Sequence, residues 1–261
     1  TGYNAHGGVR EIVPAVACVF DWLYDDLNDT QRATLAQWLV NWARLCWTET
    51  QPAEMRQTYG RDKPGDNYWA GFYYASLIAG LALMAHGGAP AAQGAPILAL
   101  ATQKWLTDAL PHHARYEPEG FPLEGSSYGV QSLTNKLLAM DAEITMRGNN
   151  LWPDAPRLVN QYLLHMSTPD MQRLLLVGDN ARITPAKGRT LMPLDDYAKA
   201  PALIAQNLVP ETGSPTSFAW WLANINPMPP GGWDIPATMM DDGTWRELEE
   251  NYPAHLQLPP G

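Results

Sequence analysis

Hydrophobic positions recur at the spacing of an α-helix along most of the chain before residue 168. Within residues 30–47, for example, Leu35, Trp38 and Trp42 fall on one side of a helix. The same periodicity predicts helices over about 9–27, 30–47, 67–86, 95–110, 127–147, 154–167, 195–208 and 215–224. Because neither a strand period nor a βαβ alternation is present, the pattern predicts a mostly α-helical protein built from successive antiparallel helix pairs.

Capping and helix-breaking residues set the expected boundaries of these helices. Asp29 or Thr30 is expected to cap the second helix, and Asp66 to cap the third. The segment 111–126 is expected to be a loop. The Pro- and Gly-rich tail, 226–261, is expected to wrap over the surface of one domain that spans the whole chain, 1–261.

The third predicted helix has no charged residue over 68–85, a length that touches the membrane-spanning range. Gly71, Ala75 and Ala79 are spaced four residues apart, so they form a face of small side chains along one side of the helix. Such a face suits close packing against other helices. We therefore expect a buried core helix, and no membrane partner.

The amino-acid composition indicates which classes of molecule the protein could bind. A formal net charge of −10 argues against a nucleic-acid surface, which needs a basic stripe. Eleven Trp and eleven Tyr suit a large core, and they also suit a cleft that binds sugars. Cys18 and Cys46 lie in apolar helical segments, so buried free thiols are expected, with a single disulfide left open.

Candidate chemistry is confined to four polar clusters. No metal-binding, phosphate-binding or nucleophile-elbow motif occurs, so neither a metal nor another cofactor is expected. The clusters are Asp66 with Asn67, the loop "EGFPLEGSSYG" (119–129) with Glu124 and Tyr128, His165 alone, and the basic segment with Asp179, Arg182, Lys187 and Arg189. Each cluster also has a purely structural interpretation. In the same order, these are a helix cap, a buried tyrosine, a core histidine and a solvated loop.

Four stretches together resemble the heparinase II/III-like and alginate-lyase group of polysaccharide lyases. They are "VFDWLYDDLNDTQRATLAQWL" (19–39), "DNYWAGFYYASLIAGLAL" (66–83), "EGFPLEGSSYG" (119–129) and "TPDMQRLLLVGD" (168–179), in the family's order and with similar spacing. The resemblance covers most of 1–180. It implies an (α/α) toroid, incomplete here and without a large β domain, and a secreted or periplasmic location.

The resemblance also implies a reaction and its residues. A lyase of this group cleaves a uronic-acid polymer such as alginate or glucuronan by β-elimination, so the expected partner is an anionic polysaccharide or oligosaccharide. Asn67 would neutralise the substrate carboxylate, and Tyr128 would act as acid or base. Tyr68 stands where many relatives have His, so Tyr68 and His165 are both candidates for a second base. The expected substrate-binding residues are Trp69, Glu124, Asp179, Arg182 and Arg189.

Three other functions remain open from the residues. A glycoside hydrolase on a similar helical barrel would need two carboxylates, for which Glu124 could pair with Asp66 or Asp179. A uronosyl epimerase would share the proton abstraction without breaking the glycosidic bond. A noncatalytic glycan-binding module would need no acid or base. The chain starts at Thr1 and ends in "LPPG", which we interpret as a processed or excised piece.

Overall fold

A computed structural model describes residues 5–47, 60–126, 128–167, 173–175, 177 and 191–193. This part of the chain is mostly helical. The helices are α1 (Ala5–Trp22), α2 (Asp29–Trp47), α3 (Asn67–Ala85), α4 (Gly88–Lys104), α5 (Leu110–Tyr116), α6 (Tyr128–Arg147) and α7 (Ala155–Met166). Two short strands, β1 (Arg173–Leu175) and β2 (Leu191–Pro193), pair antiparallel with Leu174 opposite Met192.

Most of the helices predicted before residue 168 are confirmed close to their expected positions, with α1 ending earlier, at Trp22. Asp66 caps α3 as expected, and α6 ends just before Gly148, whose φ of 70° is typical of a residue that terminates a helix. The helices predicted over 195–208 and 215–224 and the tail 226–261 lie outside the described residues.

The fourth helix differs from its prediction at both ends. It begins at Gly88 rather than near residue 95, and a π-helical turn, Trp105–Ala109, continues it into α5. Residues 111–116 are therefore helical, not a loop. Gly94 lies inside α4 and is a packing residue, because a Cβ there would lie 2.7 Å from the Cβ of Leu83.

The cap of α2 is also different from the prediction. Asn28, not Asp29 or Thr30, caps this helix: its Oδ1 accepts a hydrogen bond of 3.0 Å from the Gln31 N–H. The Gln31 side chain in turn accepts a bond of 2.9 Å from the Asn28 N–H. This reciprocal pair is a capping box, which satisfies two backbone donors at once.

Helix α3 is the central helix of its part of the molecule, as its uncharged sequence predicted. It packs against α1, α2 and α4, and α1 also packs on α2. Within the described residues it alone is long and apolar enough to cross a membrane, yet 78% of its most apolar window is buried inside the protein. That burial is typical of a core helix.

Aromatic side chains fill the core beside α3. Trp69 stacks on Tyr73, with ring centroids 5.4 Å apart, and both contact Trp105 of the π turn. The Trp105 indole N–H donates to the Leu151 carbonyl at 2.9 Å, and its ring lies 5.2 Å from that of Trp152. Much of the tryptophan and tyrosine content therefore serves packing.

Both cysteines are free thiols. Cys46 of α2 is buried, and this burial raises the pKa of its thiol to about 12 despite an opposing hydrogen bond with Ser76. Cys18 of α1 is partly exposed, and burial followed by the charge of Asp21 raises the pKa of its thiol to about 11.

The chain divides into two compact units. The first comprises 1–116 and 138–152, and the second 117–137 and 153–261. The division falls within α6, which contributes residues to both units. The single domain over 1–261 stays a prediction.

Candidate functional site

Asp66 holds the start of α3. Its carboxylate accepts the Tyr68 N–H at 2.8 Å, and its own backbone is extended, as an N-cap requires. Gly60 approaches so closely that a Cβ there would lie 2.9 Å from Asp66 Oδ1. The Asp66 carboxylate is buried, and it caps the first turn of α3. Both observations favour a structural role for this residue over a role as a hydrolytic acid.

Asn67 is the first residue of α3, and it is 4% exposed. Its Oδ1 accepts a hydrogen bond of 2.9 Å from Nη1 of Arg10, which lies on α1. The Arg10 Nε also contacts the Glu11 carboxylate at 3.4 Å. Arg10 was not among the residues that sequence analysis selected, because its partner is 57 positions away and no local motif marks it.

The next two residues of α3 face different surroundings. Tyr68 is partly exposed. Trp69 is 0% exposed and is enclosed by Trp47, Tyr73 and Trp105, which contradicts the expectation that it binds the substrate. Since successive helical residues turn by about 100°, residues 67 and 69 project from nearly opposite sides of the helix.

The loop before α6 is held by a buried carboxylate and by glycines. Glu117, which is 3% exposed, accepts the Leu123 N–H at 3.1 Å, so its carboxylate braces this loop. Gly120 has a φ of 78°, and a Cβ there would lie 2.2 Å from the Leu158 carbonyl oxygen. A glycine is required at this position for both its backbone angle and its space.

Ser126 ties the same loop to the short segment that contains β1. The Ser126 N–H donates to the Val177 carbonyl at 2.8 Å, and its hydroxyl accepts the Val177 N–H at 3.0 Å while donating to the Leu175 carbonyl. Two of the four resembling stretches, 119–129 and 168–179, are thus hydrogen-bonded to each other through described residues.

The remaining predicted site residues of the second unit occupy separate positions. Tyr128 is the first residue of α6 and is partly exposed, as is Glu124 in the loop. His165 is exposed in the last turn of α7, so it is not a core histidine. Asp179, Arg182, Lys187 and Arg189 lie outside the described residues.

Two buried tyrosines are poor candidates for a base. Burial raises the pKa of Tyr162 well above its ordinary value, more than the nearby Ser126 hydroxyl lowers it. Burial, and then the charge of Glu143, raises the pKa of Tyr73 likewise. Both phenols therefore stay protonated, Tyr162 against Phe121 of the loop and Tyr73 within the aromatic core.

Asn67 belongs to the first unit and Tyr128 to the second. The expectation that these two side chains share one cleft stays a prediction. Within the described ranges, no three His, Cys, Asp or Glu side chains are grouped in a way that could hold a metal ion.

Comparisons with protein-family models, with curated proteins and with solved structures find no match for this chain.

Proposed function

We propose that this protein is a polysaccharide lyase that cleaves a uronic-acid polymer by β-elimination on an incomplete (α/α) toroid. The main support is the environment of Asn67, the residue to which the family resemblance gives the substrate carboxylate. It is the first residue of α3, it is buried, and it accepts a hydrogen bond from the guanidinium of Arg10. An amide fixed in this way is a preorganised donor for an anion.

The helix packing of the first unit supports the toroid. In an (α/α) toroid each helix contacts the next one and also the helix after that, because alternate helices form two concentric layers. Here α1 contacts α2 and α3, while α4 contacts α3 and α2. Two consecutive helix pairs therefore pack side by side, as two segments of such a ring would.

The proposed reaction removes the proton on C5 of the uronic acid. The C5–H bonding electrons form a C4=C5 double bond, the C4–O4 bond breaks, and the leaving oxygen takes a proton. Negative charge accumulates on the carboxylate in the transition state, where hydrogen bonds from Asn67 would stabilise it. The proposal requires the substrate carboxylate to reach this buried amide.

Tyr128 is the proposed donor of the proton to the leaving oxygen. Tyr128 begins α6 after a loop that contacts of Glu117 and Ser126 hold in place. These contacts therefore fix the backbone on which its side chain stands. If the C5 proton and the leaving oxygen lie on the same face of the sugar, Tyr128 can serve both. If they lie on opposite faces, Tyr68 or His165 supplies the second base.

The test is the ultraviolet absorbance of the unsaturated sugar end, followed during incubation with alginate, glucuronan, hyaluronan, chondroitin and heparan sulfate. We expect absorbance to rise on one polymer, and Tyr128→Phe to abolish the rise. The matched control is Tyr116→Phe, which removes the same hydroxyl from a tyrosine that is 51% exposed. This control should cleave like the unmodified protein.

Other outcomes would replace the proposal. New reducing ends without ultraviolet absorbance would indicate hydrolysis, and a change of C5 configuration without cleavage would indicate an epimerase. Binding of a polymer without any chemical change, unaffected by Tyr128→Phe, would indicate a glycan-binding module.

A further inference from the structure

The contact between Arg10 and Asn67 is a hydrogen bond that joins α1 to the start of α3. Arg10 Nη1 lies 2.9 Å from Asn67 Oδ1. On its other side, Arg10 Nε lies 3.4 Å from the Glu11 carboxylate. The side chains of Arg10 and Glu11 are only 15% and 13% exposed. The guanidinium is therefore held between an amide and a carboxylate, with limited contact with solvent.

Gly71 provides the space through which Arg10 reaches Asn67. It lies four residues after Asn67, and residues at this spacing share one face of a helix. A Cβ at Gly71 would lie 2.7 Å from Arg10 Cβ and 3.2 Å from Arg10 Cδ. Because the nearest atom is the Cβ of Arg10, which is fixed to the backbone, a side chain at position 71 would displace Arg10 together with that part of α1.

This contact determines which way the Asn67 amide points. Arginine has hydrogen-bond donors and no acceptor, so only the Asn67 oxygen can face it. The NH2 group of Asn67 must then point to the opposite side. Without Arg10, rotation of the amide by half a turn would exchange its donor and acceptor positions.

We propose that Arg10 is a positioning residue, which presents the Asn67 NH2 group to the substrate carboxylate. This inference rests on the proposed function, in which Asn67 binds that carboxylate. Glu11 lies beside the guanidinium and offsets part of its charge, which weakens any direct attraction between Arg10 and the substrate carboxylate. Arg10 therefore acts by orienting Asn67. Its loss should weaken stabilisation of the transition state more than it weakens substrate binding.

The first test is independent of activity and uses the NMR signals of the Asn67 side-chain NH2 group, identified by their loss in Asn67→Ser. We expect these signals to move in Arg10→Met and in Gly71→Ala. The matched control for the arginine is Arg44→Met, at an exposed position in the last turn of α2. The control for the glycine is Gly80→Ala, which packs on Leu98 of α4 instead of α1. Both controls should leave the signals in place.

The second test is kinetic, on the polymer that the unmodified protein cleaves. A misplacement of a reacting group by about 1 Å costs about 100-fold in rate, so Arg10→Met should lower kcat by about that factor with little change in KM. Arg10→Lys keeps a donor of the same charge and should recover part of kcat. Arg44→Met should match the unmodified protein.

The two proposals fail in different ways. Unchanged Asn67 signals in Arg10→Met overturn the positioning role, whether or not the protein is a lyase. An unchanged kcat in that variant, or a rise in KM alone, overturns it as well. If no polymer is cleaved by the unmodified protein, the lyase proposal fails. In that case, a shift of the Asn67 signals would still support the orientation of the amide by Arg10.

Discussion

The starts of α3 and α6 carry the two residues on which the proposed chemistry depends, and they are held in different ways. At α3, charged side chains do the holding: Asp66 caps the helix and Arg10 fixes Asn67. At α6, the Glu117 carboxylate also takes part, but the backbone of the preceding loop is held in addition by the left-handed Gly120, which packs on Leu158, and by the pairing of Ser126 with Val177. A position held by side chains tolerates a substitution that keeps the same hydrogen bond, whereas one held by close backbone packing does not.

The largest expected effect is at the loop before α6. Gly120→Ala combines an unfavourable φ of 78° with a Cβ that would lie 2.2 Å from the Leu158 carbonyl oxygen. Strain and overpacking together should lower the free energy of unfolding by about 2–5 kcal/mol. Denaturant unfolding measures this change.

Gly148→Ala is the matched control for that loss. Gly148 has a similar φ of 70°, but a Cβ there would meet nothing within 4 Å. Only the backbone strain remains, so the expected cost is about 1 kcal/mol. Equal losses in the two variants would show that the contact with Leu158 does not hold the loop.

A smaller effect is expected at the cap of α3. Asp66→Ala removes the acceptor of the Tyr68 N–H and should cost about 1 kcal/mol of stability. Asp66→Asn keeps an oxygen at that position and should cost clearly less. Thermal unfolding of the two variants measures the difference, and an equally large loss in both would mean that the carboxylate charge, not the cap, is what matters.

The smallest effect at neutral pH concerns the two thiols on the helices that pack beside α3. Their pKa values are raised from 9.0 to about 11 for Cys18 and to about 12 for Cys46, so the folded protein favours the neutral thiols. The resulting stability is fully present below pH 9.0. It is lost as the pH rises towards these folded-state values, because the unfolded chain ionises first.

The rate of alkylation near neutral pH depends on the same raised pKa values, because the thiolate is the form of cysteine that reacts. Both thiols should react more slowly than free cysteine, and the buried Cys46 more slowly than Cys18. Cys18→Ser and Cys46→Ser assign the two rates. Labelling of Cys46 at the rate of free cysteine would show that α2 opens readily from α3.

The sequence predicted the helices whose ends are marked locally. Asp66 and the glycines at 87 and 88 delimit α3 in the sequence itself, and the structure follows them. It did not predict the first turns of α4, which contain Gly94, and placed the start of this helix near residue 95. The space that Gly94 leaves for Leu83 depends on how α3 and α4 pack, which periodicity does not contain.

In the candidate site, too, the sequence predicted the residues that are marked locally and not those that depend on helix packing. Asn67 and Tyr128 could be selected because they stand at the ends of recognisable local patterns, and each begins a helix. Arg10 could not, since its contact with Asn67 exists only after α1 and α3 pack together. A signal was nevertheless present: the small-residue face that includes Gly71 predicted that another helix would come close to α3 at this point.

The π turn at Trp105–Ala109 makes the chain tolerant of a one-residue change in length at this point. A π turn holds about one residue more than an α-helical turn, and is equivalent to a one-residue insertion. With that residue absorbed, Trp105 and His113 both reach Trp152, at ring distances of 5.2 and 4.7 Å. Deleting one residue here would restore a regular helix and leave the residues after it on nearly the same side, whereas a deletion within a regular α-helix would rotate everything after it by about 100°. In an alignment of relatives, a gap at 105–109 would therefore mark chains whose helix is regular here and whose downstream helix presents the same face to the core.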